Sequence, residues 1–254
     1  MSVHVEVAGT GPALVLLHGW GMHGGIWQPV RDALAARFTL HIVDLPGHGF
    51  SRQAKFGRVQ EVAAQVAAVL PQRYALCGWS LGGHVSMALA QRGAPIDKLV
   101  LVATTPCFVQ HSDWPHAMTP AVLADFSTQL ATDYRKTLLN FLNLQALNDS
   151  HARATIRALR DELFVRGEPS AEALNAGLNV LAQSDLREGM PSIAQRSLVI
   201  HGDRDALTPI GAGRWLAQTL PEGRLLEMQR CAHVPFLSHP AAFTESVVDF
   251  LEHA

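Results

Sequence analysis

A serine flanked by glycines is the first candidate for chemistry in this chain. Residues 78–83 read GWSLGG, so Ser80 stands two residues after Gly78 and two residues before Gly82. An apolar run of strand type precedes the motif, and a helical pattern follows it. A G-x-S-x-G motif between a strand and a helix is typical of a tight turn that exposes the serine Oγ beside backbone N–H groups at a helix N-terminus. The motif therefore predicts that Ser80 is a nucleophile.

A serine hydroxyl is a good nucleophile only when a base removes its proton and a third group orients that base. In proteins with this turn, the acid and then the histidine follow the serine along the chain. Asp203 and Asp205 both follow a strand-like run, and we favour Asp205 because Asp203 comes directly after a glycine and suits a turn. His233 follows the last predicted strand and is the predicted base, with His239 as the alternative.

Acyl transfer also needs two N–H donors for the oxyanion. The residue after the nucleophile, Leu81, supplies one donor, and we expect Trp20, in the glycine-rich loop at residues 18–25, to supply the other. None of the 13 histidines has a partner at the spacing of a metal motif such as H-E-x-x-H. We therefore predict a site that uses no cofactor and no metal.

The elements around these residues alternate between strand and helix, which predicts an α/β fold with a mostly parallel, doubly wound sheet and helices on both faces. The first strand is expected to form a hairpin with the second across residues 9–12. The predicted strands are 3–7, 13–17, 39–44, 74–77, 98–103, 197–200 and 224–228. The predicted helices of this part are 26–38, 60–70, the stretch after Ser80, 210–220 and 240–252.

The alternation of strand and helix patterns stops in the middle of the chain. No strand pattern appears between about residues 119 and 184, where four helical segments follow one another. These segments are 120–130, 133–147, 151–165 and 171–183. We expect a core made of residues 1–106 and 191–254, and a helical lid at 107–190 inserted after the sixth strand.

Composition excludes several classes of protein. The chain has 254 residues, 48% of them hydrophobic, and a formal charge of −2, which argues against disorder and against nucleic-acid binding through bulk charge. We see neither a signal peptide nor a membrane span. Three cysteines without C-x-x-C spacing suggest a reducing compartment. The expectation is a cytoplasmic protein that acts as a monomer.

Taken together, these motifs resemble the α/β-hydrolases over the full length of the chain. The resemblance rests on residues 16–21 (LLHGWG), 44–51 (DLPGHGFS) and 78–83 (GWSLGG), with Asp205 and His233. More narrowly, the chain is similar to the pimeloyl-[acyl-carrier protein] methyl ester esterases of biotin synthesis. The narrower match adds residues 104–108 (TTPCF), 113–115 (DWP), 141–145 (FLNLQ) and 233–240 (HVPFLSHP).

This resemblance implies an esterase that cleaves the methyl ester of a pimeloyl chain carried on acyl-carrier protein. It implies that substrate is contacted by residues around the nucleophile and by one lid segment. These residues are Trp20, Ser80, Leu81, His233, Phe141, Leu142, Asn143, Leu144 and Gln145. The apolar side of the lid, with Phe108 and Phe126, is expected to add to the acyl pocket.

The resemblance also implies that basic lid residues meet the acidic carrier protein. Lys136, Arg153 and Arg157 fall on the matching positions, whereas Asn140 stands where a well-known member of the family has arginine. The alternative is a solvated helix face, because Asp161 could pair with Arg157 on the same helix. Other functions left open are a broad short-chain esterase, a carbon–carbon bond hydrolase, and a ligand-binding receptor that kept the fold.

Overall fold

The computed structural model describes residues 2–253. Seven strands form one sheet in the order β1-β3-β2-β4-β5-β6-β7. The strands are β1 His4–Ala8, β2 Ala13–Leu17, β3 Thr39–Asp44, β4 Tyr74–Trp79, β5 Ile96–Val102, β6 Arg196–Gly202 and β7 Gly223–Met228. The helices are α1 Gln28–Ala35, α2 Val59–Ala67, α3 Leu81–Gln91, α4 Pro120–Thr132, α5 Tyr134–Gln145, α6 Ala152–Glu162, α7 Ala171–Gln183, α8 Ile210–Thr219, α9 Pro235–Ser238 and α10 Pro240–His253.

The sheet is parallel except for β1, which runs antiparallel to β3. Strands β2 and β4 to β6 are apolar and buried along almost their whole length, which requires cover on both faces. Helix α1 packs with α9 and α10, and α2 packs with α3. The predicted fold class is confirmed.

The predicted hairpin between the first two strands is wrong, because both edges of β2 are taken by the parallel strands β3 and β4. The connection between β1 and β2 instead crosses the end of α1. A Cβ on Gly9 would lie 2.4 Å from the Ala35 carbonyl oxygen, and one on Gly11 would lie 2.4 Å from the Arg37 carbonyl oxygen. Both glycines have positive φ, so the crossing depends on them.

The four lid helices, α4 to α7, lie between β5 and β6, as the pattern of the sequence predicts. The predicted place of the lid after the sixth strand is wrong, because in the described residues five strands, β1 to β5, precede α4. Local capping explains three of the helix starts, since Thr119, Asp133 and Ser170 each accept a backbone N–H of the following turn. The domain limits at 106/107 and 190/191 stay a prediction.

A buried ion-pair network fastens the end of the lid to the core. The Arg166 guanidinium, after α6, lies 3.3 Å from an Asp44 carboxylate oxygen and also pairs with Glu6. Asp44 is fully buried at the end of β3, where it also accepts the backbone N–H groups of Gly24 and Phe50. Among residues 2–253, no helix is both long enough and apolar enough to cross a lipid bilayer.

Candidate active site

Ser80 occupies a tight turn between β4 and α3, with φ of 53° and ψ of −115°. This region is strained for a residue that is not glycine. The close packing around the turn explains the glycines: a Cβ on Gly78 would lie 2.2 Å from Ser86 Oγ, and one on Gly82 would lie 2.4 Å from the Leu17 carbonyl oxygen. The turn therefore holds the serine side chain clear of the backbone that packs beneath it.

The structure brings Ser80, His233 and Asp205 into one chain of hydrogen bonds. Ser80 Oγ lies 3.0 Å from His233 Nε2, and His233 Nδ1 lies 2.8 Å from Asp205 Oδ2. The backbone N–H groups of Leu207 and Thr208 donate to Asp205 Oδ1, at 2.9 and 3.0 Å. Thr208 Oγ1 donates to Asp205 Oδ2 at 2.7 Å. These donors fix the carboxylate that orients the imidazole.

The electrostatics of the pair favour an ionised aspartate. Burial alone would raise the pKa of Asp205, but the charge attraction and hydrogen bond of His233, together with other donors, lower the pKa below its ordinary value. Because the carboxylate stays charged at neutral pH, His233 donates its Nδ1–H to it. Nε2 is then the acceptor that can take the proton of Ser80.

The two alternatives from the sequence lie elsewhere. Asp203 Oδ1 accepts the backbone N–H of Cys231 at 3.2 Å, which is a turn contact rather than a contact to the imidazole. His239 Nδ1 lies 2.8 Å from Ser238 Oγ, and its ring packs edge-on against His151. The described geometry thus singles out Asp205 and His233 as partners of the serine.

The proposed oxyanion donors flank the serine. Leu81 is the first residue of α3, so its N–H has no acceptor within the helix. Trp20 follows Gly19, where a Cβ would lie only 3.2 Å from Ser80 Cβ. His18 donates from Nδ1 to the Gly19 carbonyl oxygen at 2.8 Å and accepts a backbone N–H at Nε2. Because this carbonyl and the Trp20 N–H belong to one planar peptide, His18 orients the donor.

Two further residues support the acid and were missed by the sequence reasoning in that role. His201 is fully buried with its Nε2 3.6 Å from Asp205 Oδ2, and burial lowers the pKa of its ring. His201 Nε2 lies 2.5 Å from the Thr208 carbonyl oxygen. The sequence could have indicated the role of Thr208, because it lies three residues after Asp205 and directly before a proline.

An apolar cavity of about 250 Å³ lies between Trp20 and the lid. Phe141 packs edge-on against the Trp20 indole with ring centroids 5.1 Å apart, and Phe126 does so at 5.4 Å. The cavity is lined by Trp20, Phe108, Met118, Val122, Leu123, Asp125, Phe126, Gln129, Asn140, Phe141, Leu144, Leu178, Leu181 and Leu207. The sequence analysis did not predict that two polar residues of α4, Asp125 and Gln129, line the cavity. They share one helix face with the apolar residues Val122 and Phe126.

The residues of the lid segment 141–145 lie in different environments. Phe141 and Leu144 line the cavity, whereas Leu142 is buried in the core. Asn143 is exposed and accepts a hydrogen bond from an arginine of α6. Gln145 is fully buried, its amide atoms have no hydrogen-bond partner in the described part of the chain, and its backbone oxygen accepts the N–H of His233 at 3.0 Å.

A larger cavity of about 470 Å³ lies between residues 56–60 and the end of α7. Neither cavity is lined by Ser80, Asp205 or His233, but the lid cavity is lined by the proposed oxyanion donor Trp20, whereas the larger cavity is not and has a more polar lining. The apolar cavity that Trp20 lines is therefore the better candidate for an acyl pocket.

The three basic lid residues that the family resemblance singles out are on the surface of the lid. Lys136 on α5 and Arg153 and Arg157 on α6 are all exposed. Within residues 2–253 none of the three has a carboxylate oxygen within 4 Å, so the pairing of Arg157 with Asp161 is not formed. These charges remain available to a partner.

Comparison with known proteins agrees with this geometry. The sequence profile of the alpha/beta hydrolase family matches residues 14–246. A protein of Nitrosomonas europaea called pimeloyl-[acyl-carrier protein] methyl ester esterase is 46% identical over 244 residues, which cover 95% of this chain and 96% of that protein. A protein of Xanthomonas oryzae with the same name is 43% identical and covers 98% of both chains.

Solved structures share the fold at lower identity. A bromoperoxidase from Bacillus anthracis superposes with a TM-score of 0.91 at 23% identity, covering 98% of this chain and 95% of that chain. An esterase from Exiguobacterium antarcticum gives a TM-score of 0.86 at 22% identity with the same coverage. With the fold, the site and full-length relatives in agreement, the chain belongs to the alpha/beta hydrolase family and, within it, to the group of the pimeloyl-[acyl-carrier protein] methyl ester esterases.

Proposed function

We propose that this protein is a serine carboxylesterase that hydrolyses the methyl ester of pimeloyl-[acyl-carrier protein] and so frees the pimeloyl carboxylate for biotin synthesis. The observation that carries the reaction is the 3.0 Å contact between Ser80 Oγ and His233 Nε2, in a site whose proposed oxyanion donor, Trp20, also lines an apolar cavity. The substrate rests on the names of relatives that match nearly the whole chain.

The geometry supports a two-step mechanism. Ser80 Oγ attacks the ester carbonyl while His233 takes its proton, and the N–H groups of Leu81 and Trp20 hold the tetrahedral oxyanion. The intermediate collapses as His233 passes the proton to the methoxy oxygen, which leaves as methanol. Water, deprotonated by His233, then cleaves the acyl-enzyme and restores Ser80. Asp205 keeps the imidazole in the required tautomer and stabilises the imidazolium.

The lid cavity suits the acyl part of this substrate. A pimeloyl chain has five methylene groups between its two carbonyl carbons, and burial of each methylene contributes about 0.8 kcal/mol. Trp20 and Phe141 form an apolar wall of this cavity, and the residue before Trp20, Gly19, packs closely against Ser80. In this arrangement the ester end lies at Ser80, and the thioester end leads out toward the carrier protein.

The exposed lid cations supply the contact with the carrier. Lys136, Arg153 and Arg157 have no acidic partner within the described chain and would face an acidic protein surface. Charge complementarity of this kind raises the association rate and is weakened by salt. We also propose that the enzyme acts as a cytoplasmic monomer, in line with its three buried free cysteines.

The test compares methyl ester hydrolysis on pimeloyl-carrier protein with hydrolysis of free dimethyl pimelate, at low and high salt. The double variant Arg153→Ala/Arg157→Ala is matched by Arg92→Ala/Arg224→Ala, which removes the same charge from exposed positions outside the lid. We expect kcat/KM for the carrier-bound ester to fall about tenfold in the lid variant and at high salt, and to be unchanged in the control.

If kcat/KM is equal for the two esters and is changed neither by salt nor by the lid substitutions, the protein would instead be a broad short-chain carboxylesterase. A fluorophosphonate probe, which reacts with an activated serine, distinguishes either kind of esterase from a ligand-binding receptor. The wild-type enzyme should be labelled and Ser80→Ala should not.

A further inference from the structure

A second group of donor side chains lies where the loop after α5 meets the segment after β7. Here the Asp149 carboxylate, the Cys231 thiol and the His239 imidazole have ligand atoms that all lie within 4.8 Å of one another. Asp149 and Cys231 are buried, and His239 is half-buried. The proposed hydrolysis uses none of the three.

The buried carboxylate in this cluster has no strong counter-charge. Asp149 accepts the backbone N–H groups of Ala232 and His151, at 2.8 and 2.7 Å, and its side chain is 0% exposed. In the part of the chain from residue 2 to 253, the only basic group within 4 Å is the exposed His151, whose Nδ1 lies 4.0 Å away. Buried carboxylates ordinarily pair with a cation or a metal. Each oxygen also keeps a lone pair for a further ligand.

The donor set has the chemistry that zinc prefers. Thiolate, imidazole and carboxylate are the ligands of Zn²⁺, whereas Mg²⁺ and Ca²⁺ prefer oxygen alone. The Ser238 hydroxyl lies 2.8 Å from His239 Nδ1, and the His151 ring packs edge-on against His239 with centroids 5.0 Å apart. Binding breaks the S–H bond of Cys231, forms a Zn–S bond and releases the proton to solvent.

We propose that Asp149, Cys231 and His239 form an inhibitory Zn²⁺ site. Tetrahedral zinc places its sulfur and nitrogen ligands about 3.5 Å apart. The described ligand atoms all lie within 4.8 Å of one another, so a bound metal would fix the spacing of the two segments. This revises the expectation that the chain has no metal site, which considered only donors close in sequence.

The link to activity is His233, which lies two residues after Cys231. The N–H of Ala232 donates to Asp149, and the N–H of His233 donates to the Gln145 carbonyl oxygen. A metal that resets the spacing of Asp149 and Cys231 therefore acts on the backbone that positions the imidazole against Ser80. A misplacement of about 1 Å in a catalytic group can cost about 10²-fold in rate.

The test treats the full-length enzyme with EDTA, removes the chelator, and titrates it with Zn²⁺ or Co²⁺. The readouts are metal stoichiometry by equilibrium dialysis, the thiolate-to-cobalt charge-transfer band, and hydrolysis of dimethyl pimelate. The variants are Cys231→Ser and His239→Gln. Cys107→Ser is the matched control, because that buried thiol also lies beside a histidine and an aspartate, but there Arg187 pairs with Asp185 at 2.7 Å.

We expect one Zn²⁺ per chain, a cobalt–thiolate band, and at least a tenfold loss of activity that EDTA reverses. Cys231→Ser should lose the band and be inhibited less than twofold relative to its own metal-free rate, while Cys107→Ser should behave like wild type. Equal inhibition of Cys231→Ser would place the metal elsewhere, for example on His233, and overturn the proposal, as would the absence of the band. Dialysis and the spectrum do not depend on the ester, so they test the site even if the proposed function fails.

Discussion

The indole Nε1 of Trp20 donates a hydrogen bond of 2.8 Å to the carbonyl oxygen of Leu174, 154 residues later in the chain. This bond ties the loop that carries a proposed oxyanion donor to lid helix α7. Close approach of the two elements depends on Gly177, since a Cβ there would lie 2.9 Å from the indole ring. The position of the lid is thereby linked to the oxyanion loop.

Trp20→Phe should reduce kcat/KM for dimethyl pimelate by about tenfold, because a buried carbonyl loses its donor while the aromatic contacts are largely kept, a change of about 1–3 kcal/mol. Steady-state kinetics provide the measurement. Trp215→Phe, on α8, is the control and should leave kcat/KM unchanged. An unaffected Trp20→Phe enzyme would show that the bond to the lid does not position the loop.

The choice between the two aspartates is open to direct measurement. Asp205→Asn should lower kcat on the order of 10⁴-fold, because an amide would favour the wrong histidine tautomer. Asp203 accepts the backbone N–H of Cys231 in a turn, so Asp203→Asn should change kcat by less than tenfold. Purified variants with unaltered circular dichroism are compared. If Asp203→Asn is the more damaging change, the assignment of the acid is wrong.

The Arg166 network should contribute to stability. Arg166→Ala leaves the buried carboxylate of Asp44 without its ion-pair partner, and we expect the free energy of unfolding in urea to fall by about 3 kcal/mol. The matched control is Arg37→Ala, which breaks a more exposed pair with Glu252 and should cost less than about 1 kcal/mol. Similar losses in the two variants would mean that the lid anchor adds little.

Stability should also decline in mild acid. His48 and His84 are fully buried, and burial lowers the pKa of each ring from 6.5 to about 4. Between these values the unfolded chain binds protons that the folded protein does not, so the free energy of unfolding falls as the pH falls. Each histidine should account for about 2 kcal/mol between pH 8 and pH 5.

The measurement is urea unfolding across this pH range, with His48→Asn as the comparison. That variant should show a shallower dependence on pH than wild type, whatever its stability at pH 8. A wild-type stability that does not change between pH 8 and pH 5 would contradict the interpretation.

Local patterns were sufficient for much of this fold. Apolar runs and capping residues predicted most strands and the four lid helices, and chain order pointed to Asp205 and His233. The pairing of β1 with β3 could not be predicted, because a turn signal does not identify which strand edge is free. Contacts such as Trp20 with Leu174 join residues far apart in sequence and leave no periodic signal. The predicted place of the lid after the sixth strand was wrong for a simpler reason, since the sequence patterns themselves identify only five strands before residue 119.

The bond from the His233 N–H to the Gln145 carbonyl oxygen bears on how such enzymes diversify. The C-terminal half of α5 lines the lid cavity with Asn140, Phe141 and Leu144, and the last residue of the same helix, Gln145, holds the backbone of the proposed catalytic base. A graft that exchanges the lid for that of a relative with another acyl preference would also replace a support of the base. New specificities in this scaffold should therefore arise more readily by single substitutions on the cavity side of α4 and α5 than by transfer of whole lids.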